Sequence, residues 1–380
     1  MSDAVGLSEN PLVRSTARDF AERVVRPVVM KYDESQEFPL DLMRQLGAMG
    51  FLGAMVPGEY GGADLSPLDF VALVEELARV DPSLALGVCA HNGLCLGHLL
   101  LFGTEEQKHR FLPDLCSGNK LGGWGLTEPG SGSDSAGMLT TATRQGNDWI
   151  LNGSKAFITH GSVGSTFVVL AVTGKAKGRS TISAFIVERG TPGFGTGKKE
   201  NKLGMRASDT ATLLLEDVRI PSSNLIGAEG DGFRQAMAVL DGGRIGIAAL
   251  GVGLAQGALD AAIRYAKERR QFGKPLAEFQ AIQWKLADMA TEIHAARLLT
   301  RHAAVLKMQN EDTTLAASQA KLYASEVATR AANEAVQIHG GYGFIKEFPV
   351  EKFYRDVKLL TIGEGTSEVQ RMIIAKHLLK

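Results

Sequence analysis

The chain has 380 residues, and its 41 Lys and Arg against 42 Asp and Glu argue against a dedicated nucleic-acid binder. A hydrophobic share of 44% and a charged share of 22% fit an ordinary soluble protein of two or three domains. Its three cysteines lack a C-x-x-C, which disfavours a disulfide framework or a thiolate zinc site, and its 44 glycines exceed the usual share of about 7%.

Met1 to Arg14 shows no basic head followed by an apolar run, so no secretory signal and a cytoplasmic location are expected. The first 120 residues read as helical by period. Phe20, Val24 and Val28 lie four apart, and Leu42, Leu46 and Met49 share a face. A helix is predicted from about Pro67 to Val80, with Phe70, Leu73, Val74 and Leu77 on one side. Pro82 to Thr104 has no Asp, Glu, Lys or Arg and is long enough for a membrane span. His91, Asn92, His98 and the glycines within it predict a buried helix pair instead, with no membrane insertion.

After Gly118 the pattern changes to short alternating runs. Thr140 to Thr143 leads into a turn at Gly146-Asn147-Asp148, and Trp149 to Leu151 follows, which predicts a hairpin. Runs 167–172, 182–187 and 211–215 extend the β segment across 121–228. From Gly232 the helical period returns, with Ile282, Leu286, Met289 and Ile293 spaced 4, 3, 4. Segments 245–268, 279–308 and 314–338, with a last helix from about Ser367, predict a four-helix bundle. The expected fold is multidomain: helical 1–120, a β-barrel or sandwich over 121–228, and a helical bundle over 229–380.

Five stretches carry candidate chemistry. Leu126-Thr127-Glu128-Pro129-Gly130-Ser131-Gly132-Ser133-Asp134 has glycines and hydroxyls that let backbone N–H groups face an anion or a flat polar ring. It is neither a P-loop nor a Rossmann fingerprint, and a plain surface turn explains it equally well. Lys155 to Thr159 reads as an ordinary strand. Arg269-Arg270-Gln271-Phe272-Gly273 suits a capped helix end more simply than a phosphate clamp. Gln337-Ile338-His339-Gly340-Gly341-Tyr342-Gly343 holds more glycine than a cap needs. In Gly363-Glu364-Gly365-Thr366-Ser367-Glu368 a carboxylate is flanked by glycines, and Thr366 or Ser367 can cap the last helix. There is no H-E-x-x-H and no G-x-S-x-G, which disfavours zinc and serine hydrolases.

In this order, together with Asp241-Gly242-Gly243-Arg244, these segments resemble the acyl-CoA dehydrogenase family over nearly the whole chain. The resemblance implies FAD, a homotetramer, and oxidation of an acyl-CoA to the trans-2-enoyl-CoA with electrons passed to an electron-transferring flavoprotein. It places the base at Glu364, with Gly363 and Gly365 letting the thioester approach. It places the flavin near Leu126, Thr127, Ser133, Phe157, Ile158 and Thr159. Arg269, Gln271 and Phe272 would reach the neighbouring subunit's FAD, and Gln337, Ile338, Gly340 and Gly341 its far end. Thr366, Ser367 and Glu368 complete the implied cofactor contacts. Ser133, Asp241, Arg244 and Gly365 are the implied substrate contacts.

Two positions depart from many relatives: Phe157 stands for Trp and Gly363 for Tyr. One subgroup carries its base on the first bundle helix, where this chain has glycine. The runs around Asp241 and Glu364 lean towards a short or branched short acyl chain. An acyl-CoA oxidase is the enzyme alternative, but such chains carry a further C-terminal domain for which 380 residues leave no room. A DNA-associated flavoprotein of the same fold is the other alternative. It would need a basic C-terminal surface, and 229–380 holds 20 Lys and Arg against 17 Asp and Glu.

Overall fold

The structure is a computed structural model that describes residues 8–176 and 178–379. Residues 1–7, half of the stretch read for a signal, lie outside the described residues. Seven helices come first: α1 (Pro11–Phe20), α2 (Val29–Ser35), α3 (Leu40–Ala48), α4 (Pro67–Ala78), α5 (Pro82–Cys89), α6 (Gly97–Phe102) and α7 (Glu105–Cys116). Eight strands follow: β1 (Gly122–Gly125), β2 (Thr141–Gln145), β3 (Asp148–Thr159), β4 (Thr166–Ala176), β5 (Arg179–Glu188), β6 (Phe194–Lys199), β7 (Thr210–Pro221) and β8 (Leu225–Ile226). Helix α8 (Gly232–Glu268) leads through a small hairpin, β9 (Arg270–Gln271) and β10 (Lys274–Pro275), to α9 (Gln280–Met308). The chain ends in α10 (Thr314–His339), α11 (Val350–Asp356) and α12 (Ser367–Leu378).

Helix α4 shows why the N-terminal region folds inward. Ser66 and Asp69 form a capping box, Pro67 starts the first turn, and every residue from Leu68 to Ala78 is buried. Its two buried glutamates are paired: Glu76 with Arg14 and Arg18, Glu75 with Arg297.

The expected pair of helices after Pro82 is instead one continuous 21-residue helix, Pro82–Phe102. Its middle, Ala90–Leu96, winds as a π-helix between α5 and α6. The polar residues that suggested a break are docking points. Asn92 accepts from the Ala54 N–H at 2.9 Å and donates to the Phe51 and Val88 carbonyls at 3.1 Å each. His98 accepts from the Trp124 indole at 3.0 Å and meets Gln235 at 3.1 Å. The helix is long and apolar enough to cross a membrane, yet 78% of its apolar window is buried inside the protein.

The β region is a sandwich. Strands β6-β7-β3-β2 and β1-β4-β5-β8 form two halves that join where Thr141 of β2 meets Val172 of β4. Phe167, Val169 and Ala171 of β4 face Trp149, Leu151, Leu213 and Leu215 across the interior. Val168 and Leu170 point the other way, onto Leu96, Leu99, Leu112 and Val239 of the helices. Burial on both faces explains the unbroken apolar run in β4.

Helix α8 starts at Gly232, well ahead of the residue 245 expected. Its glycines count as poor helix formers by propensity, costing about 1 kcal/mol each. Packing overrides this, because α8 needs bare backbone where α4 crosses it. A Cβ on Gly253 would sit 2.3 Å from the Glu75 carbonyl. Helices α8, α9, α10 and α12 form the expected bundle, and α4 lies against α8 and α9. One hydrophobic core spans α1, α3, α4 and α5 together with α8, α9 and α10.

A buried ion cluster ties these regions to the β domain. Lys352 Nζ donates to Asp81 Oδ1 at 2.8 Å and to Asp356 Oδ2 at 2.5 Å. Asp356 also accepts from the Met205 N–H, and Arg355 pairs with Asp33 at 2.7 Å. Burial alone would lower Lys352, but Asp356 and Asp81 outweigh it and hold the ammonium well above its ordinary value.

Candidate active site

Glu364 lies on a tight turn between α11 and α12. Glu364 and Gly365 both adopt left-handed backbone, with φ of +52° and +93°. A non-glycine residue there is strained and marks a constrained site. Gly365 is glycine for that conformation and because a Cβ would lie 2.7 Å from Gln370 Nε2. At Gly363 the nearest atoms to a Cβ would be those of Leu359, at 3.5 Å, an ordinary contact. Thr366, not Ser367, caps α12, accepting from the Val369 N–H at 3.3 Å.

The Glu364 side chain reaches across to α8. A Cβ on Gly243 would fall 2.1 Å from its Oε2 and 3.1 Å from Leu94 of the π-helical segment. Gly243 of α8 is therefore the floor on which the carboxylate rests. Oε2 is shielded from solvent and has no hydrogen-bond partner. Burial raises the Glu364 carboxyl to about 7, against the pull of the Lys321 and Arg244 cations.

Arg244, 4% exposed, donates to Asp241, which also accepts from Thr314 Oγ1 at 2.9 Å. The Arg244 Nε is buried without a partner. Lys321 comes from the buried face of α10 and donates to the Gly365 carbonyl at 2.6 Å. A carboxylate and a guanidinium, each with an unpaired buried atom, thus lie within electrostatic reach of one another, Asp241 beside the one and Gly365 beside the other. Lys321 was missed by the sequence reading. Its signal was a charge on an alanine stripe, among Ala317, Ala320 and Ala324.

A second cluster lies on the β domain. Lys155, with no solvent exposure, donates to Glu128 Oε1 at 2.7 Å and to the Leu126 carbonyl at 3.2 Å. Glu128 accepts from the Leu139 and Thr140 N–H groups, and the Ala156 N–H bonds the Thr127 carbonyl at 2.9 Å. These bonds clamp the 126–134 loop to β3. The stretch expected as an ordinary strand then bulges: register shifts between Lys155 and Ile158, and Phe157 has φ +59°. The bulge turns the Phe157 ring outward, leaving it 66% exposed. The Ile158 and Leu126 side chains point into apolar cores, so only their backbones are offered to a ligand. Thr127 and Thr159 are half-buried beside them and Ser133 is exposed.

The remaining residues line two other clefts. Arg269, Gln271, Ile338, Gly340, Gly341 and Tyr342 border one of about 450 Å³. The Arg269 guanidinium lies 5.3 Å over the Tyr342 ring, and Gln337 is exposed beside it. Phe272 crowns the β9–β10 hairpin, 93% exposed. Thr366, Ser367 and Glu368 border the other cleft, of about 340 Å³, with Thr329, Arg330 and Lys358. Neither cleft includes a residue of the β domain.

These parts fit a flavin dinucleotide. An exposed aromatic ring beside backbone polar groups suits a flat heterocycle. Gly130, Gly132, Gly340 and Gly341 have nothing within 4 Å of where a Cβ would stand, which leaves room for backbone approach. Arg269 and Gln271 supply donors for a polar tail.

Comparison with known proteins agrees. The chain matches the profiles of the acyl-CoA dehydrogenase N-terminal domain at residues 8–119, the middle domain at 123–218 and the C-terminal domain at 230–379. It is 46% identical to a short-chain specific acyl-CoA dehydrogenase of Clostridium acetobutylicum, covering 98% of each chain. It is 45% identical to a subunit of the caffeyl-CoA reductase–Etf complex of Acetobacterium woodii, again covering 98% of each. The solved butyryl-CoA dehydrogenase of Megasphaera elsdenii superposes with a TM-score of 0.96 at 44% identity, covering 100% of both chains. Profiles, relatives and fold converge on one conclusion: the chain belongs to the acyl-CoA dehydrogenase family and is an FAD-dependent oxidoreductase.

Proposed function

We propose that the chain converts a short or branched short acyl-CoA to its trans-2-enoyl-CoA, with Glu364 removing the α-proton. The observation that carries this reading is the shielded, partnerless Glu364 Oε2 on a carboxyl that burial raises to about 7. A carboxylate with that affinity is a competent general base at neutral pH. A thioester α-hydrogen is a weak acid, so its carbonyl must be polarised as the proton leaves. Among the described residues the Glu364 N–H donates to no protein acceptor, and in the left-handed turn it is available to that oxygen. FAD, when bound, supplies the acceptor for the β-hydride. Arg244 and Asp241 orient the coenzyme A side through the unpaired Arg244 Nε.

The close approach of the π-helical segment to α8 supports a short acyl chain. A Cβ on Gly93 would come within 3.7 Å of Gly243 Cα, so the two backbones pack closely beside the carboxylate. The caffeyl-CoA reductase–Etf relative supports an electron-transferring flavoprotein as the electron acceptor. Exposed Phe272, Trp284, Leu298 and Met372 on the C-terminal bundle support a homotetramer. The near-neutral net charge and the burial of the apolar Pro82–Phe102 helix fit a cytoplasmic enzyme.

Glu364→Gln tests the base. It is expected to slow anaerobic flavin reduction by butyryl-CoA about 10²–10⁴-fold. It should also stop deuterium entering the substrate α-carbon from D2O. Unchanged rates of both would overturn the assignment.

A further inference from the structure

Three buried lysines set up the question. Lys155 is paired with Glu128, and Lys352 with Asp81 and Asp356. Lys321 is as deeply buried, at 0% exposure, yet among the described residues it makes no ion pair. Its one hydrogen-bond acceptor is the neutral Gly365 carbonyl, at 2.6 Å. A buried ammonium that makes no direct ion pair is costly.

The charge it can serve is that of Glu364, one residue away. The Glu364–Gly365 turn is left-handed and strained, and it is gripped from two sides. Lys321 binds the Gly365 carbonyl from α10. Gln370 Nε2 of α12 binds the same carbonyl at 3.0 Å and the Glu364 carbonyl at 3.3 Å. Among the other charged or titratable groups around the turn, Arg244 also draws the Glu364 carboxyl down, but no other cation among the described residues bonds the turn itself. Arg244 of α8 is bonded to Asp241, and Lys307 of α9 also faces Asp241. Cys89 of α5 is a buried thiol raised by burial and by the Glu364 charge. Glu368 of α12 is exposed and bears the same sign as Glu364.

We infer that Lys321 is a positioning residue for the base: it holds the Glu364–Gly365 turn and, with Arg244, supplies positive charge that favours the ionised form of Glu364. The need is greatest when a thioester fills the pocket and excludes water, because desolvation then pushes the carboxyl further towards its neutral, inactive form. Burial lowers Lys321 to about 8, against the Glu364 charge, so the ammonium persists at neutral pH. This inference rests on Glu364 as the base.

Lys321→Gln keeps a donor to Gly365 but removes the charge, Lys321→Arg keeps the charge, and Lys321→Met removes both. The readouts are the pH profile of anaerobic flavin reduction by butyryl-CoA and an infrared titration of the Glu364 carboxyl, assigned with Glu364→Gln. The infrared titration needs no turnover. In Lys321→Gln the acid limb and the carboxyl titration should both move up by about one pH unit or more. Lys321→Arg should restore them, and Lys321→Met should add a pH-independent loss of rate. A rate loss equal at every pH, with the carboxyl titration unmoved in Lys321→Gln, would overturn the role. If Lys321→Met does not fold, Lys321→Gln decides alone. Should Glu364→Gln leave α-hydrogen exchange intact, the base assignment itself fails. If it abolishes exchange while Lys321→Gln shifts nothing, only the role of Lys321 fails.

Discussion

The Lys352 cluster and the Glu364 pocket bury charge in opposite ways. Around Lys352 each charge meets its opposite: two aspartates share one ammonium, and Asp356 takes a backbone N–H as well. Around Glu364 the signs nearly balance, but the bonds do not close. Glu364 Oε2 and Arg244 Nε are left without partners, and Lys321 spends its ammonium on a carbonyl. A closed network fixes one conformation and resists a ligand. An open one stores unmet bonding capacity that a substrate can satisfy, which is what the role proposed for Glu364 requires.

Three substitutions test this contrast. Lys352→Met strands Asp81 and Asp356 in a dry interior and should destabilise the fold by about 3–5 kcal/mol, read from the shift of the urea midpoint. A small shift would show that the cluster is not closed in solution. Gly243→Ala should do the reverse, sparing the fold and harming the pocket. Alanine gains up to about 1 kcal/mol in a helix, but its methyl would occupy the space of Glu364 Oε2. Flavin reduction by butyryl-CoA should fall about 10²-fold, as expected when a catalytic group is displaced by about 1 Å, with no loss of melting temperature. The smallest effect belongs to Glu364→Gln as a stability probe. A carboxyl held at about 7 when folded, against 4.5 otherwise, favours folding in its protonated form and loses that contribution as pH rises through 7. The variant should therefore melt higher than the parent at pH 8, and the gap should narrow as pH falls towards 5. A gap independent of pH would mean that Glu364 is not buried as described.

Much of this was legible in the chain itself. Period 3.6 followed by period 2 and again by 3.6 marked the α, β, α order, and the collinear motifs marked Glu364. What stayed hidden was tertiary. Asn92 and His98 look like helix interruptions until Ala54, Phe51, Trp124 and Gln235 arrive to bond them. Gly243 reads only as part of the Asp241–Arg244 motif until a carboxylate more than a hundred residues later needs its space. Nothing in the strand propensity of Lys155 to Thr159 announces a bulge at Phe157, because the clamp that forces it comes from Glu128 on another segment. Lys321 alone was readable and overlooked, as one charge on a stripe of buried alanines.

The shared helical core also bears on how the protein is made. The sandwich encloses its own interior between Ala142 and Ile220, so it is complete when Ile226 has been added. The N-terminal helices are not, because Val71, Leu77 and Ala78 close against residues of α8 and beyond. At about 5–20 residues per second, α8 follows α4 from the ribosome by roughly 10–30 s. For that interval the earliest part of the chain to be synthesised stays exposed and adhesive, while a later part is already folded. The helical core with which the chain begins can therefore close only after the sandwich has been synthesised.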